Sequence, residues 1–247
     1  MSKRTQLIMG MPISLEIVGS TAAEAFRNIF NYFRAVDKRF STYKKSSEIS
    51  QINNGLPKSK WSAEMTSVLQ LCAQTKAQTN GYFDISHAGK LDPSGLVKGW
   101  AIQNAAQQLL TQGFKNFCIE AGGDIQACGR NSDNLDWSVG IRNPFNLEMI
   151  IKTLAISNLG VATSGTYVRG QHIYDPYNPK RDITQVKSLT VIGPNIYEAD
   201  RFATAAFAMG KKGVEFIEST KGLEGYMVDD QQLATYTSGF ESYTTNV

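Results

Sequence analysis

The spacing of apolar residues changes near Phe114, and this change constrains the fold more than any other feature of the sequence. Before it, apolar residues recur mainly at helical spacing, whereas after it short strand-like runs alternate with Gly, Asn, Asp and Pro. Strands and helices do not alternate strictly, which argues against a parallel sheet built from βαβ units. The sequence therefore predicts an α+β fold, two-lobed, with a largely antiparallel sheet and flanking helices.

The same patterns predict the individual elements. Helices are expected over 21–40, 62–79, 95–113, 197–209 and 213–220, the first opened by a capping box of Thr21 and Glu24. Strands are expected over 13–17, 117–121, 125–128, 137–141, 150–156 and 188–192, and again near 226 and over 234–238. We expect residues 1–247 to form a single domain.

Composition and charge exclude several classes of protein. A formal net charge of +3, with dispersed basic pairs, is too small to match a nucleic-acid backbone. Three cysteines, Cys72, Cys118 and Cys128, are a poor disulfide framework and lack zinc-site spacing, so buried free thiols are expected. No run approaches the roughly 20 apolar residues of a membrane span. No signal peptide is recognisable, and a cytoplasmic location is expected.

Two glycine-containing segments are candidates for binding phosphate. Segment 92–101 joins a loop to a helix start, where free N–H groups, Gly95, Gly99 and the charge of Lys98 suit an anion. A capped helix start without a ligand explains it equally well. In segment 120–124, Gly122 and Gly123 follow an apolar strand. A tight turn is the favoured explanation there, with room for a ring or phosphate as the alternative.

Two other segments offer catalytic and metal-binding side chains. His172 lies three residues before Asp175 in a polar loop, where it is either a general base or a structural histidine. Asp200 and Thr204 are four apart on a predicted helix and share one face, as a pair of Mg²⁺ ligands would. Taken alone, this pair is explained better by an acid in the first helical turn and a solvated threonine.

In combination and in this order, these segments resemble the FAD:protein FMN transferase family, also called the ApbE family. The resemblance runs nearly end to end and rests on these segments: Met9-Gly-Met-Pro, Phe40-Ser-Thr-Tyr, residues 47–53, Gly81-Tyr-Phe-Asp, residues 92–101, Ala121-Gly-Gly-Asp, Thr163-Ser-Gly-Thr-Tyr, His172-Ile-Tyr-Asp-Pro and residues 200–204. It implies an enzyme that uses Mg²⁺ and FAD, moves FMN onto a Ser or Thr hydroxyl of a target flavoprotein, and releases AMP.

The resemblance also implies roles for individual residues. His172 is the acid/base candidate, and Lys98 with the helix N-terminus would clamp the pyrophosphate. The metal would be held by the Gly95 carbonyl, Asp200 and Thr204. Contacts with FAD are implied for Met9, Tyr43, Tyr82, Phe83, Asp84, Asp92, Lys98 and Ile173, although a packing role for Phe83 is equally plausible.

The chain departs from the family pattern at three places. Only seven residues separate Asp84 from Asp92, where many members carry a long insertion, so the chain resembles a compact subgroup. Thr166 stands where an acid is frequent, and Tyr197 stands where some members have a further metal-binding acid. Two alternatives therefore remain: an FAD pyrophosphatase that gives FMN and AMP, and a flavin-binding protein without turnover. The acceptor, the oligomeric state and the preferred divalent ion stay open.

Overall fold

An eight-stranded antiparallel sheet lies at the centre of the structure, a computed structural model that describes residues 2–19, 22–166, 173–180 and 182–245. Its strands, in spatial order, are β1 (Ser2–Ile8), β2 (Met11–Ile17), β5 (Phe117–Ala121), β6 (Asp124–Cys128), β9 (Leu159–Gly165), β10 (Val186–Gly193), β11 (Glu224–Asp229) and β12 (Ala234–Tyr236). Two hairpins stand outside this sheet: β3 (Ser86–His87) with β4 (Lys90–Leu91), and β7 (Trp137–Asn143) with β8 (Asn146–Ile156).

Six α-helices accompany the sheet in the described residues: α1 (Ala23–Phe40), α2 (Glu48–Asn53), α3 (Ala63–Gln78), α4 (Ser94–Thr111), α5 (Ile196–Ala208) and α6 (Gly213–Ser219). Local chemistry fixes several of their starts. The Ser62 side chain accepts from the Met65 N–H to cap α3, and Asn195 accepts from the Glu198 N–H to cap α5. These caps satisfy backbone donors that have no partner within the first helical turn.

The hydrophobic core is divided into two clusters on opposite faces of the sheet. Because successive strand residues point to opposite faces, Ala162 belongs to the cluster under the helices while its neighbour Val161 belongs to the other. The first cluster contains the predicted apolar stripe of α1: Phe26, Ile29, Phe30, Phe33, Val36 and Phe40. In the second cluster the β7–β8 hairpin packs against the sheet through Trp137, Val139 and Ile141.

The predicted fold class is confirmed, and most predicted elements are present with ends shifted by a few residues. One detail was wrong: Ala22 occupies the N-cap of α1 and no side-chain cap bond forms there, while Thr21 lies outside the described residues. The sequence patterns did not predict β1, α2, the β3–β4 hairpin or β9.

The three cysteines are free thiols, as expected, and two of them are buried. Cys72 and Cys128 are buried, Cys118 is half-buried, and all three are free thiols. Burial raises the pKa of Cys72 and of Cys118 to about 12, so both stay protonated near neutral pH. Among the described residues, no helix combines the length and the apolar character that crossing a membrane requires.

Candidate functional site

Two glycines on α4 bring that helix unusually close to α5. A Cβ atom at Gly99 would stand 2.6 Å from the Cβ of Asp200 and 2.7 Å from the Ile196 carbonyl oxygen. One turn earlier, a Cβ at Gly95 would stand 3.0 Å from the Thr204 methyl group. The i, i+4 spacing of both pairs makes the two helices meet along one seam. Asp200 and Thr204 therefore face the glycine segment directly.

A buried charge cluster lies at this seam. The Lys98 ammonium is 2.6 Å from Asp124 Oδ2 and 3.5 Å from Asp200 Oδ1. The Gly99 N–H donates to Asp200 Oδ2 at 2.7 Å, and the Thr163 N–H donates to Asp124 Oδ1 at 3.2 Å. Helices α4 and α5 and strand β6 thus hold two carboxyl groups and one ammonium in fixed positions.

The Asp200 carboxyl is held in an environment that disfavours its charge. Burial is the main cause, and it raises the pKa of Asp200 to about 7. The Lys98 ammonium and the hydrogen bond from the Gly99 N–H lower this pKa, whereas the Asp124 carboxylate raises it further. A buried carboxylate of this kind gains most from a nearby cation. A divalent ion at Asp200 would therefore favour its ionised form and displace a proton.

The oxygen atoms at the seam are of the chemical kind that a small divalent cation binds. The Thr204 hydroxyl donates to the Gly95 carbonyl at 3.3 Å, and Asp200 lies one turn earlier on the same face of α5. Adjacent ligands in an octahedral Mg²⁺ shell are about 3.0 Å apart, given metal–oxygen distances of about 2.1 Å. Carboxylate, hydroxyl and carbonyl are hard ligands that suit Mg²⁺. Over the described ranges, no group of three or more His, Cys, Asp or Glu side chains is placed to hold a metal.

A cleft of about 1260 Å³ opens in front of this seam. It exceeds the roughly 300–1,000 Å³ typical of small-molecule sites, so it has room for a ligand of dinucleotide size. Asp124, Lys98, Asp200 and Thr204 line one part of it. The β5–β6 turn at Gly122 and Gly123 lines another, and both glycines have positive φ, which confirms the predicted tight turn.

The structure brings most of the predicted FAD-contacting residues to the cleft. The residues of that set that line it are Tyr43, Tyr82, Phe83, Asp84, Asp92, Lys98 and Ile173. Tyr43 is 96% exposed, so its ring is accessible to a ligand. The Tyr82 ring contacts Tyr177 with centroids 5.0 Å apart. Aromatic rings at the cleft rim suit stacking against a flat heterocycle.

Three members of that set are already engaged with the protein. Met9 packs half-buried against the core, and its neighbour Gly10, rather than Met9, lines the cleft. Phe83 is only 2% exposed and belongs to the core, which favours its packing role. Asp84 Oδ2 pairs with the Lys76 ammonium at 2.7 Å, and Asp84 Oδ1 accepts from the Ser86 N–H. Phe83 and Asp84 face the cleft only with their remaining surfaces, and Met9 does not line it.

Of the two histidines, only His87 lies among the described residues. His172, the acid/base candidate, lies outside the described residues. His87, which the sequence patterns did not single out, lines the cleft from the β3–β4 hairpin, and its ring lies 4.2 Å from that of Tyr174. This hairpin is formed by the short segment between Asp84 and Asp92, and its turn at Ala88 and Gly89 has positive φ at both positions.

Asp124 lies at the candidate site but was not among the site residues predicted from the sequence. It was noted only as the end of a glycine turn, yet the structure buries it and pairs it with Lys98. The available signal was an acid placed directly after two glycines at the start of an apolar strand. Such an acid is forced into the sheet and needs a partner, because a buried unpaired carboxylate is costly.

These features define a class of protein with a cleft of dinucleotide size whose inner end offers hard oxygen ligands beside a lysine and a helix start. The sequence model of the ApbE family matches residues 9–89 and 86–227, and the chain belongs to that family. Among curated relatives, the FAD:protein FMN transferase of Vibrio cholerae is 31% identical over 131 residues, 49% of this chain. That of Escherichia coli K12 is 27% identical over 147 residues, 56% of this chain.

The matched regions cover 39% and 42% of those two relatives, so the chain spans less than half of their length.

The fold agrees with that of solved structures over almost the whole chain. The flavin transferase ApbE from Vibrio cholerae superposes with a TM-score of 0.86 and 21% identity, covering 98% of both chains. The ApbE protein from Thermotoga maritima gives 0.86 at 20% identity, covering 99% of both. At this identity the agreement establishes the fold.

Proposed function

We propose that the protein is a Mg²⁺-dependent FAD:protein FMN transferase, acting as one catalytic unit. The observation that carries the proposal is the seam between α4 and α5, where Asp200, Thr204 and the Gly95 carbonyl meet beside Lys98 at the inner end of a large cleft. The names of the curated relatives point to the same reaction. The cleft can hold FAD as substrate, with the pyrophosphate at the seam.

The charges at the seam suit a pyrophosphate only when a cation is present. Lys98 contributes one positive charge, but Asp124 and Asp200 contribute two negative charges within 3.5 Å of its ammonium. Mg²⁺ held by Asp200, Thr204 and Gly95 would supply the missing charge and neutralise the charge that develops on the oxygen leaving with AMP. Asp124 then orients Lys98 toward the phosphates rather than binding FAD itself.

The proposed reaction exchanges one phosphorus–oxygen bond for another. The hydroxyl oxygen of a Ser or Thr in the acceptor flavoprotein forms a bond to the phosphorus of the FMN half. The bond from that phosphorus to the oxygen bridging to AMP breaks, and AMP leaves. The proton of the attacking hydroxyl passes to a general base, a role proposed for His172 on the family resemblance alone. Positioning and charge neutralisation account for most catalysis in phosphoryl transfer.

The rim of the cleft would bind the two ring systems of FAD. Tyr43 and Tyr82 are the proposed stacking partners, and Ile173 adds an apolar contact. Asp92, whose Oδ1 accepts from the Ser94 N–H, keeps the first turn of α4 in place beneath the pyrophosphate. Met9, Phe83 and Asp84 would act chiefly by supporting this surface, since each is packed or paired within the protein.

The test is incubation of the protein with FAD, Mg²⁺ and candidate flavoproteins, followed by mass spectrometry of the acceptors and measurement of AMP. We expect an added mass equal to FMN on one Ser- or Thr-containing peptide, one AMP per FMN attached, and loss of both with EDTA. Rapid AMP release without an acceptor would show a pyrophosphatase instead. Tight FAD binding without AMP release under any condition would show a flavin-binding protein.

A further inference from the structure

One edge of the β7–β8 hairpin has backbone groups that no described strand uses. The Thr153 carbonyl on β8 accepts from the Thr245 N–H at 2.9 Å, so the backbone groups of Thr153 point away from β7. Gly140 stands directly opposite Thr153 in the ladder. In an antiparallel ladder, the backbone N–H and C=O groups of both residues in a non-hydrogen-bonded pair point away from the partner strand. The N–H and carbonyl of Gly140, and of Ser138 two residues earlier, therefore face away from β8.

These groups, called here the β7 edge, open onto the cleft. Ser138 and Gly140 both line it and are exposed, while Trp137, Val139 and Ile141 are buried. The Ile150 side chain lies over the face of Gly140, where a Cβ would stand 2.8 Å from it. The pairing of β7 is confined to β8 across the residues that the structure describes. A second strand could thus be added to β7 on the side where the reaction is proposed to take place.

The β7 edge lacks the features that usually protect an edge strand. The outer strand β1 of the main sheet carries exposed Lys3 and Arg4, and the opposite outer strand β12 has only three residues. Charge and shortness both discourage pairing with another chain. The β7 edge instead presents a serine and a glycine, neither of which blocks an approaching strand.

An exposed apolar surface continues from the β7 edge. Four side chains at the turn end of the hairpin are 40–52% exposed: Phe145, Leu147, Met149 and Ile150. Ile150 also lines the cleft, so this hairpin tip is continuous with it. Arg142 donates to the Leu147 carbonyl at 2.8 Å, which fixes the turn. Grouped exposed apolar side chains beside a cleft are typical of a protein-binding surface.

We propose that the β7 edge and the hairpin tip bind the acceptor protein, whose hydroxyl-bearing segment adds to β7 as an extended strand. This inference rests on the proposed function, because FMN transfer requires a protein segment to enter the cleft and reach the phosphates. Backbone pairing would fix the direction and register of that segment, and its alternate side chains would point toward the cleft. The attacking hydroxyl is one of those alternate side chains.

The direct test is an N-methyl scan of a synthetic peptide of about ten residues, longer than a typical strand, taken from the acceptor that mass spectrometry identifies and centred on its modified Ser or Thr. Methylating one backbone nitrogen at a time removes one donor. We expect kcat/KM for the peptide to fall by about fivefold to tenfold at every second position near the hydroxyl, and by less than about twofold at the positions between. A uniform effect, or one without a two-residue period, overturns the proposal.

Two measurements on the protein accompany the scan. Amide exchange of segment 137–143 should slow when the peptide and FAD are both bound, and unchanged exchange there contradicts strand addition. Phe145→Ser with Met149→Ser should raise the KM for the intact acceptor about 30-fold, as expected for losing two apolar contacts of about 1 kcal/mol each. Leu233→Ser, which replaces a residue 60% exposed on the β11–β12 turn, should leave that KM unchanged.

The two proposals can fail separately. If the wild-type protein attaches no FMN to any acceptor, the proposed function fails and strand addition falls with it. If FMN transfer occurs but the N-methyl scan shows no alternation and the hairpin-tip variant keeps its acceptor KM, only the docking inference fails. FAD affinity, followed by flavin fluorescence, verifies in each case that the variants retain the cleft.

Discussion

Replacing Asp200 with alanine should lower the rate of FMN transfer by about 10³-fold or more at saturating FAD and Mg²⁺. Asp200 is the only carboxylate of the proposed metal ligand set, and its Oδ2 is fixed by the Gly99 N–H at 2.7 Å. Without it, Thr204 and the Gly95 carbonyl would offer only neutral oxygens to the ion. The measurement is FMN incorporation by mass spectrometry across a range of Mg²⁺ concentrations.

Asp230→Asn is the matched control, because Asp230 is an exposed acid outside the cleft lining. It should transfer FMN at the wild-type rate. Thermal unfolding of both variants shows whether the fold is retained. An Asp200→Ala protein that stays folded and labels its acceptor within about threefold of wild type would remove Asp200 from the mechanism, since a metal ligand contributes far more than that.

Gly99→Ala should destabilise the protein and inactivate it together. An alanine is intrinsically better than glycine inside a helix by about 1 kcal/mol. Here its Cβ would lie 2.7 Å from the backbone carbonyl of Ile196, which cannot rotate away, and 2.6 Å from Asp200 Cβ. We expect a net loss of about 1–3 kcal/mol in the free energy of unfolding, typical of overpacking. Because α4 must move away from α5, Asp200 also loses the Gly99 N–H.

Urea unfolding and FMN transfer measure the two effects. Gln107→Ala, on the exposed side of the same helix, is the control and should be neutral or slightly stabilising. Gly95→Ala should be milder than Gly99→Ala, because its Cβ would meet the Thr204 methyl group at 3.0 Å rather than backbone. If Gly99→Ala proved as stable and active as wild type, the close approach of α4 and α5 would be contradicted.

The helices could be predicted from the sequence because their periodicity and end signals agree. Helix α3 was expected over 62–79 and is observed as Ala63–Gln78, with Ser62 and Thr79 as its caps. The apolar stripe of α1 also lies in the core as predicted. In both helices, local preference and tertiary burial favour the same structure, so no long-range information was needed.

Strand β9 could not be predicted because its small residues are required by the close packing of helix α5, which the local sequence does not reveal. Its residues Leu159–Gly165 are rich in glycine, serine and threonine, which ordinarily indicates a loop. The structure shows why they are small: a Cβ at Gly160 would lie 2.1 Å from the Ile196 backbone nitrogen. Helix α5 packs so closely on this strand that only a glycine fits, and sequence spacing does not reveal that contact.

The candidate site could be predicted only where its residues lie close together in the sequence. Asp200 and Thr204 share a helical face at fixed spacing, so local geometry placed them together, but only the family resemblance gave them a metal-binding role. Lys98 and Asp124 are 26 residues apart and approach within 2.6 Å only through the packing of α4 against the sheet. Met9 and Phe83 both pack on the core, as apolar side chains favour, and their contact with FAD stays a prediction.

The most direct test of the account is anomalous diffraction from crystals of the protein grown with FAD and Mn²⁺, which accepts the same oxygen ligands as Mg²⁺. The account predicts one strong manganese peak at about 2.1–2.3 Å from an Asp200 carboxylate oxygen and the Thr204 hydroxyl, in contact with the FAD pyrophosphate. FAD bound in the cleft with no manganese at the seam, or with manganese coordinated elsewhere, would contradict it.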